Sequence, residues 1–212
     1  MLTSIAANHA KGKSAEDTIF AANAACVAAA KKIGAENVTN ATIGAILDED
    51  EKLVCLPTVD KVFRSLSTDE LIAYAPISGL PDYLEEVLNA AFGDSRPEGY
   101  MAAVATSGGT GVIHHAIWNY MDEGETALTS DWYWDPYSVL CNDMGRKLDT
   151  YTMLDENNKY NLPALKAKVE EILSKQKSLL LIINTPAHNP TGYSPSEEEK
   201  QAYAQQIQEV KA

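Results

Sequence analysis

Cysteine is scarce: three in 212 residues, Cys26, Cys55 and Cys141, widely spaced and without a Cys-x-x-Cys pair. That pattern supports neither a disulfide framework nor a zinc site, and isolated thiols of this kind are ordinarily buried and inert. No apolar run is long enough to cross a bilayer. The opening stretch Met1-Leu-Thr-Ser-Ile-Ala-Ala-Asn-His-Ala-Lys11 lacks the basic-then-apolar layout of a secretory leader. Both absences predict a soluble, cytoplasmic protein without a membrane partner. Basic residues are outnumbered, 17 Lys and Arg against 30 Asp and Glu, a net charge of −13. A polyanion with no dense Lys/Arg block is not expected to bind nucleic acid. The adjacent His114 and His115 point in different directions on a helix and make a poor metal pair. Asp48-Glu-Asp-Glu51 lacks the spaced oxygens of a calcium loop and reads as a solvated loop. No metal site is expected, and no internal repeat or low-complexity stretch is present.

What the chain does have is 45% hydrophobic residues, enough for a real core. Apolar spacing predicts a helix over 18–33 stopped by Gly34, another over 58–66, and a clearer one over 81–92 closed by Gly93. From about residue 101 the pattern changes to short apolar runs alternating with helices. Strands are predicted over 101–106, 125–130, 147–154 and 178–184, the last an apolar run suited to burial on both faces. Helices are predicted from the glycine loop to about 121, over 136–144, over 161–174 with Asn161 as N-cap and Pro163 in the first turn, and from about 194 onward. Strand and helix alternate at the length of βα units, so the fold class is α/β, three layers with a mainly parallel sheet.

Three segments at predicted strand ends carry the chemistry. Ser107-Gly108-Gly109-Thr110-Gly111 joins strand to helix, where glycine lets backbone approach a ligand and the helix N-terminus favours phosphate. It is neither a Walker loop nor G-x-G-x-x-G, so simple phosphate suits it better than nucleotide; an ordinary tight turn is the plain alternative. Asp131-Trp132-Tyr133-Trp134-Asp135-Pro136-Tyr137 offers flat rings for stacking, or else a packed aromatic anchor. Asn184-Thr-Pro-Ala-His188-Asn189-Pro190-Thr191-Gly192 forms an irregular turn in which Asn189 either presents its amide as a donor or bonds its own backbone. In parallel α/β sheets ligands lie at the carboxyl ends of strands, so a phosphate anchor, a ring stacker and a donor on one sheet edge carry more weight together than singly.

With these segments, and Tyr74-Ala-Pro-Ile-Ser-Gly79-Leu before them, the sequence resembles the fold-type I pyridoxal-phosphate enzymes, in the aspartate and aromatic aminotransferase branch, from about residue 40 onward. His188-Asn-Pro-Thr-Gly192 after an apolar strand is the specific element. The resemblance implies pyridoxal 5'-phosphate as cofactor, with Gly108, Gly109 and Thr110 at its phosphate and Trp134 stacked on the pyridine ring. It implies Asn189 on the phenolic oxygen, Tyr74 reaching the phosphate of a partner subunit in a homodimer, and Gly44 near the substrate. His188 would support Asn189 from behind. The reaction implied moves an amino group between an amino acid and a 2-oxo acid. Trp134-Asp-Pro where the branch tends to have Trp-Pro-Asn, and Pro186-Ala187 before the His, are departures that bear on substrate identity.

The family's lysine for covalent attachment, its aspartate for the pyridine nitrogen and its arginines for the substrate carboxylate fall later than residue 212, and Ser174-Lys-Gln-Lys177 reads as solvated surface. The chain is therefore expected to be a front portion, inactive alone, with residues 1–60 as N-terminal arm and small-domain segment and 61–212 as the first part of the large domain. A β-lyase or decarboxylase of the same fold would share this front half. A non-catalytic phosphate- or cofactor-binding module would depend on the glycine loop alone, and a DNA-binding regulator would need a helical basic module that residues 1–40 do not supply.

Overall fold

The computed structural model describes residues 5–12, 18–50 and 52–210. The chain divides into two compact units, residues 1–73 and 74–212.

In the first unit, α1 (Thr18–Ile33) ends where Gly34 adopts φ 96° and its N–H reaches Ala30 O at 3.0 Å, a left-handed exit that favours glycine. Asn40 Nδ2 donates to Asn23 Oδ1 at 2.9 Å, tying the following loop back to α1. The chain turns tightly at residues 49 and 50, and Leu47 and Leu53 form an antiparallel bridge. Asp48 Oδ1 accepts the N–H groups of Asp50 and Lys52 there, each at 2.9 Å. Helix α2 (Pro57–Ser65) has Pro in its first turn. The short α3 (Thr68–Ile72), which periodicity over so few residues does not reveal, is held by a capping box between Ser67 and Glu70.

The second unit holds α4 (Pro81–Phe92), α5 (Gly108–Tyr120), β1 (Thr126–Ser130), α6 (Pro136–Asp143), β2 (Lys147–Tyr151), α7 (Leu162–Leu173) and α8 (Glu197–Val210). Strands β1 and β2 pair in parallel, Thr126 opposite Lys147 through Ser130 opposite Tyr151. Residues 178–184 lie on the other side of β1. Leu128 donates to Leu180 O and accepts from Ile182 N, both at 2.9 Å, giving one parallel bridge to Leu181 in place of the continuous ladder predicted. Residues 101–106 form no ladder; Ala105 N bonds Ser78 O at 2.8 Å. Alternation along the strands splits the core into two clusters. Leu128 and Tyr151 pack with Leu165, Val169 and Ile172 of α7, together with Leu179 and Leu181. Ala127 packs with Ile117 of α5 and Cys141 of α6, together with Leu148 and Leu180. Residues 178–184 thus meet both clusters, and the architecture is helices, parallel sheet, helices, as the α/β expectation required.

Candidate functional site

The glycine turn opens α5. Gly108 sits at φ 66°, and a Cβ at Gly108 or Gly109 would meet nothing within 4 Å, so the backbone face is open. Thr106 O takes the Gly108 N–H at 2.8 Å and Ser107 O the Gly111 N–H at 3.2 Å. The first-turn amides of Gly109 and Thr110 find no acceptor among the described residues. Ser107 does not cap the helix with its side chain. Two free N–H groups on an uncapped helix end with a bare face are an arrangement that favours an anion. Further back, Gly79 is buried at φ 108°, where a Cβ would stand 2.9 Å from the Ala105 side chain. The motif ending in Gly79 therefore packs against the chain entering the glycine turn.

The aromatic segment leaves the carboxyl end of β1. Asp131 N bonds Tyr151 O at 2.8 Å, and Asp131 Oδ1 accepts from Trp132 N at 3.0 Å and Met153 N at 2.9 Å. This staple fixes the loop to the end of β2, a role for Asp131 that the sequence motif does not reveal. Trp134 is half-buried and lies edge-on to Tyr137, centroids 5.5 Å apart. Tyr137 also stacks on Tyr133 at 6.3 Å.

The third segment follows residues 178–184 and contains cis peptides at Thr185-Pro186 and Asn189-Pro190, with positive φ at Ala187 and Gly192. His188 is buried, 4% exposed. Its Nε2 lies 3.3 Å from Ser130 Oγ and its Nδ1 2.9 Å from Thr191 Oγ1. Ser130 spends its one proton on Trp132 O, so it accepts from His188. Nε2 therefore carries the imidazole proton, and Nδ1 accepts from Thr191. Burial pushes the His188 pKa down, favouring the neutral ring. His188 thus ties the third segment to the end of β1.

Asn189 is exposed. Its backbone N–H donates to Asn184 Oδ1 at 2.9 Å, while its side-chain amide has no partner among the described residues. The asparagine that bonds turn backbone is therefore Asn184, and the amide of Asn189 remains available as a donor. Sequence reasoning missed Asn184; its signal was an Asn at the very end of an apolar run.

Tyr74 begins the second unit with a fully exposed side chain. Gly44 lies in the first unit, exposed and with open space at its Cβ position.

The family described as aminotransferase class I and II matches residues 36–212. An aminotransferase structure from Anaerococcus prevotii DSM 20548 superposes with a TM-score of 0.92 at 35% identity, covering 98% of this chain and 51% of that one. The mitochondrial aspartate aminotransferase of Dictyostelium discoideum is 27% identical over 173 residues, 76% of this chain and 38% of its own. The aromatic-amino-acid aminotransferase of Paracoccus denitrificans is 27% identical over 132 residues, 61% of this chain and 33% of its own. The chain thus spans less than half the length of these two curated relatives. With the family's pattern matched over most of its residues, the chain belongs to the class I and II aminotransferases.

Proposed function

We infer that this chain forms the front of a pyridoxal 5'-phosphate pocket in an aminotransferase that moves an amino group between an amino acid and a 2-oxo acid. The observation that carries the reading is the uncommitted side-chain amide of Asn189, whose backbone is pinned by Asn184 while the carboxamide stays free. Gly109 and Thr110 hold the phosphate through their first-turn N–H groups, with Gly108 leaving the approach clear. Trp134 stacks on the ring. Asn189 donates to the ring's phenolic oxygen, stabilising it as an oxyanion. Tyr74 extends toward the phosphate of a second subunit in a homodimer, and Gly44 borders the substrate. When bound, the cofactor would carry the amino group and act as an electron sink for the carbanion developing at the substrate's alpha carbon. This reading assigns no residue of the chain to the family's covalent lysine, pyridine-facing acid or substrate-gripping arginines. Residues 1–60 serve as arm and small-domain segment and 61–212 as the start of the large domain.

The test is a titration of the 212-residue chain with pyridoxal 5'-phosphate, followed by absorbance and tryptophan fluorescence. Trp134→Phe should weaken binding by about 2- to 10-fold, the weight of lost aromatic contact. Asn189→Ala should weaken it by about 10-fold or more, as for a hydrogen bond to a charged acceptor. Equal affinity in the parent chain and both variants would overturn the reading in favour of a bare phosphate cradle.

A further inference from the structure

Asn184 and Tyr137 stand between two groups that the proposed pocket uses, yet neither faces the ligand in that reading. The Oδ1 of Asn184 accepts the Asn189 backbone N–H at 2.9 Å. That bond decides the orientation of the carboxamide, because only oxygen can accept there. Nδ2 is consequently turned toward the Tyr137 hydroxyl, 3.5 Å away. Tyr137 is buried, 4% exposed, in the first turn of α6. Its ring meets Trp134 edge-on, at an interplanar angle of 80°, and lies nearly parallel to Tyr133, at 12°. A continuous path of contacts therefore runs from the Asn189 backbone through Asn184 and Tyr137 to the Trp134 indole.

The geometry points to Asn184 and Tyr137 as a pair of positioning residues that set the separation between the Asn189 amide and the Trp134 ring. This rests on the reading of Asn189 and Trp134 as cofactor contacts. The two loops leave different positions of the sheet, and their chain connection alone does not hold them in register. A planar ligand that is stacked by one loop and bonded at its rim by the other requires both at a fixed spacing. Tyr137 fixes the height of the indole by its ring, and Asn184 fixes the donor loop by its carboxamide. The 3.5 Å contact is long for a hydrogen bond, so the ring of Tyr137 matters more than its hydroxyl.

The experiment uses the full 212-residue chain and two readouts. The first, without cofactor, is hydrogen exchange at the Asn189 backbone amide. The second is affinity for pyridoxal 5'-phosphate. Asn184→Ala should speed exchange at Asn189 and weaken affinity by about tenfold, the weight of one hydrogen bond held in place for a charged acceptor. Combined with Asn189→Ala it should add little, because both changes remove the same donor. Asn184→Asp, which keeps the acceptor for the Asn189 N–H, should restore slow exchange. Tyr137→Phe, which keeps the ring, should bind within about twofold of the parent. Affinity unchanged in Asn184→Ala, while Trp134→Phe and Asn189→Ala both weaken binding, would overturn the positioning role and leave the pocket reading intact. The positioning role falls equally if the effects of Asn184→Ala and Asn189→Ala multiply fully. Affinity indifferent to Trp134 and Asn189 themselves would overturn both.

Discussion

His188 shows how one buried ring couples the site to pH. Because burial holds its folded-state pKa below the ordinary value of about 6.5, the unfolded chain takes up a proton first as pH falls. Stability associated with His188 is intact above about 6.5 and is lost as pH drops from there through the lowered folded value. Urea titrations between pH 7.5 and 5 should show the midpoint falling, and His188→Gln should flatten that fall. Gln176 offers a second test. Its Oε1 accepts Thr126 N at 2.9 Å, and its Nε2 donates to Thr126 O at 3.0 Å and Ser178 O at 2.8 Å. The side chain thus completes the start of β1 as a neighbouring strand would. Gln176→Ala should lower the unfolding free energy by about 1–3 kcal/mol, since it strands a donor and two acceptors. Gln176→Glu should do no better, because it sets an acceptor against both carbonyls. Roles of this kind were not legible in the sequence. Gly108, Gly109, Thr110, Trp134 and Asn189 stood in motifs whose chemistry is local, whereas Asn184, Asp131 and Gln176 act on backbone brought near only by folding.

Helices were legible where their ends are local events. Gly34 and Gly93 close α1 and α4 as expected, and Asn161 Oδ1 caps α7 by accepting Ala164 N at 3.2 Å. Asn161→Ala should cost about 1 kcal/mol in thermal or chemical unfolding. The strands were less legible, because a ladder needs a partner that no apolar run encodes. The runs at 126–130 and 147–151 found each other; those at 101–106 and 178–184 have the composition of strands and little or none of the pairing. The end of α5 depends on another distant group. Arg146 Nε and Nη2 donate to Met121 O at 3.2 and 2.7 Å, and the guanidinium lies 5.3 Å from the Trp118 ring centroid. Arg146→Ala should destabilise the second unit by about 1–3 kcal/mol, as for lost bonds from a charged donor. Arg146→Lys should recover only part of that, lacking the planar fork.

Across the whole molecule, apolar surface is unevenly distributed. Val59, Val62 and Phe63 on α2 are each more than half exposed. Along residues 178–184 one edge is bonded to β1, and the other carries no ladder among the described residues. Unpaired strand edges and apolar patches recruit further copies of a chain. Sedimentation velocity should therefore show association that rises with protein concentration. It should also rise with salt, as screening weakens the repulsion arising from a net charge of −13. Val62→Lys should shift the distribution toward monomer. The buried residues of the two clusters, by contrast, are drawn entirely from the stretch between Ile117 and Ile172. Residues 185–192 contribute none of them, although His188 is itself buried. The turn that bears Asn189 can therefore open without emptying either cluster, a local excursion that costs less than global unfolding.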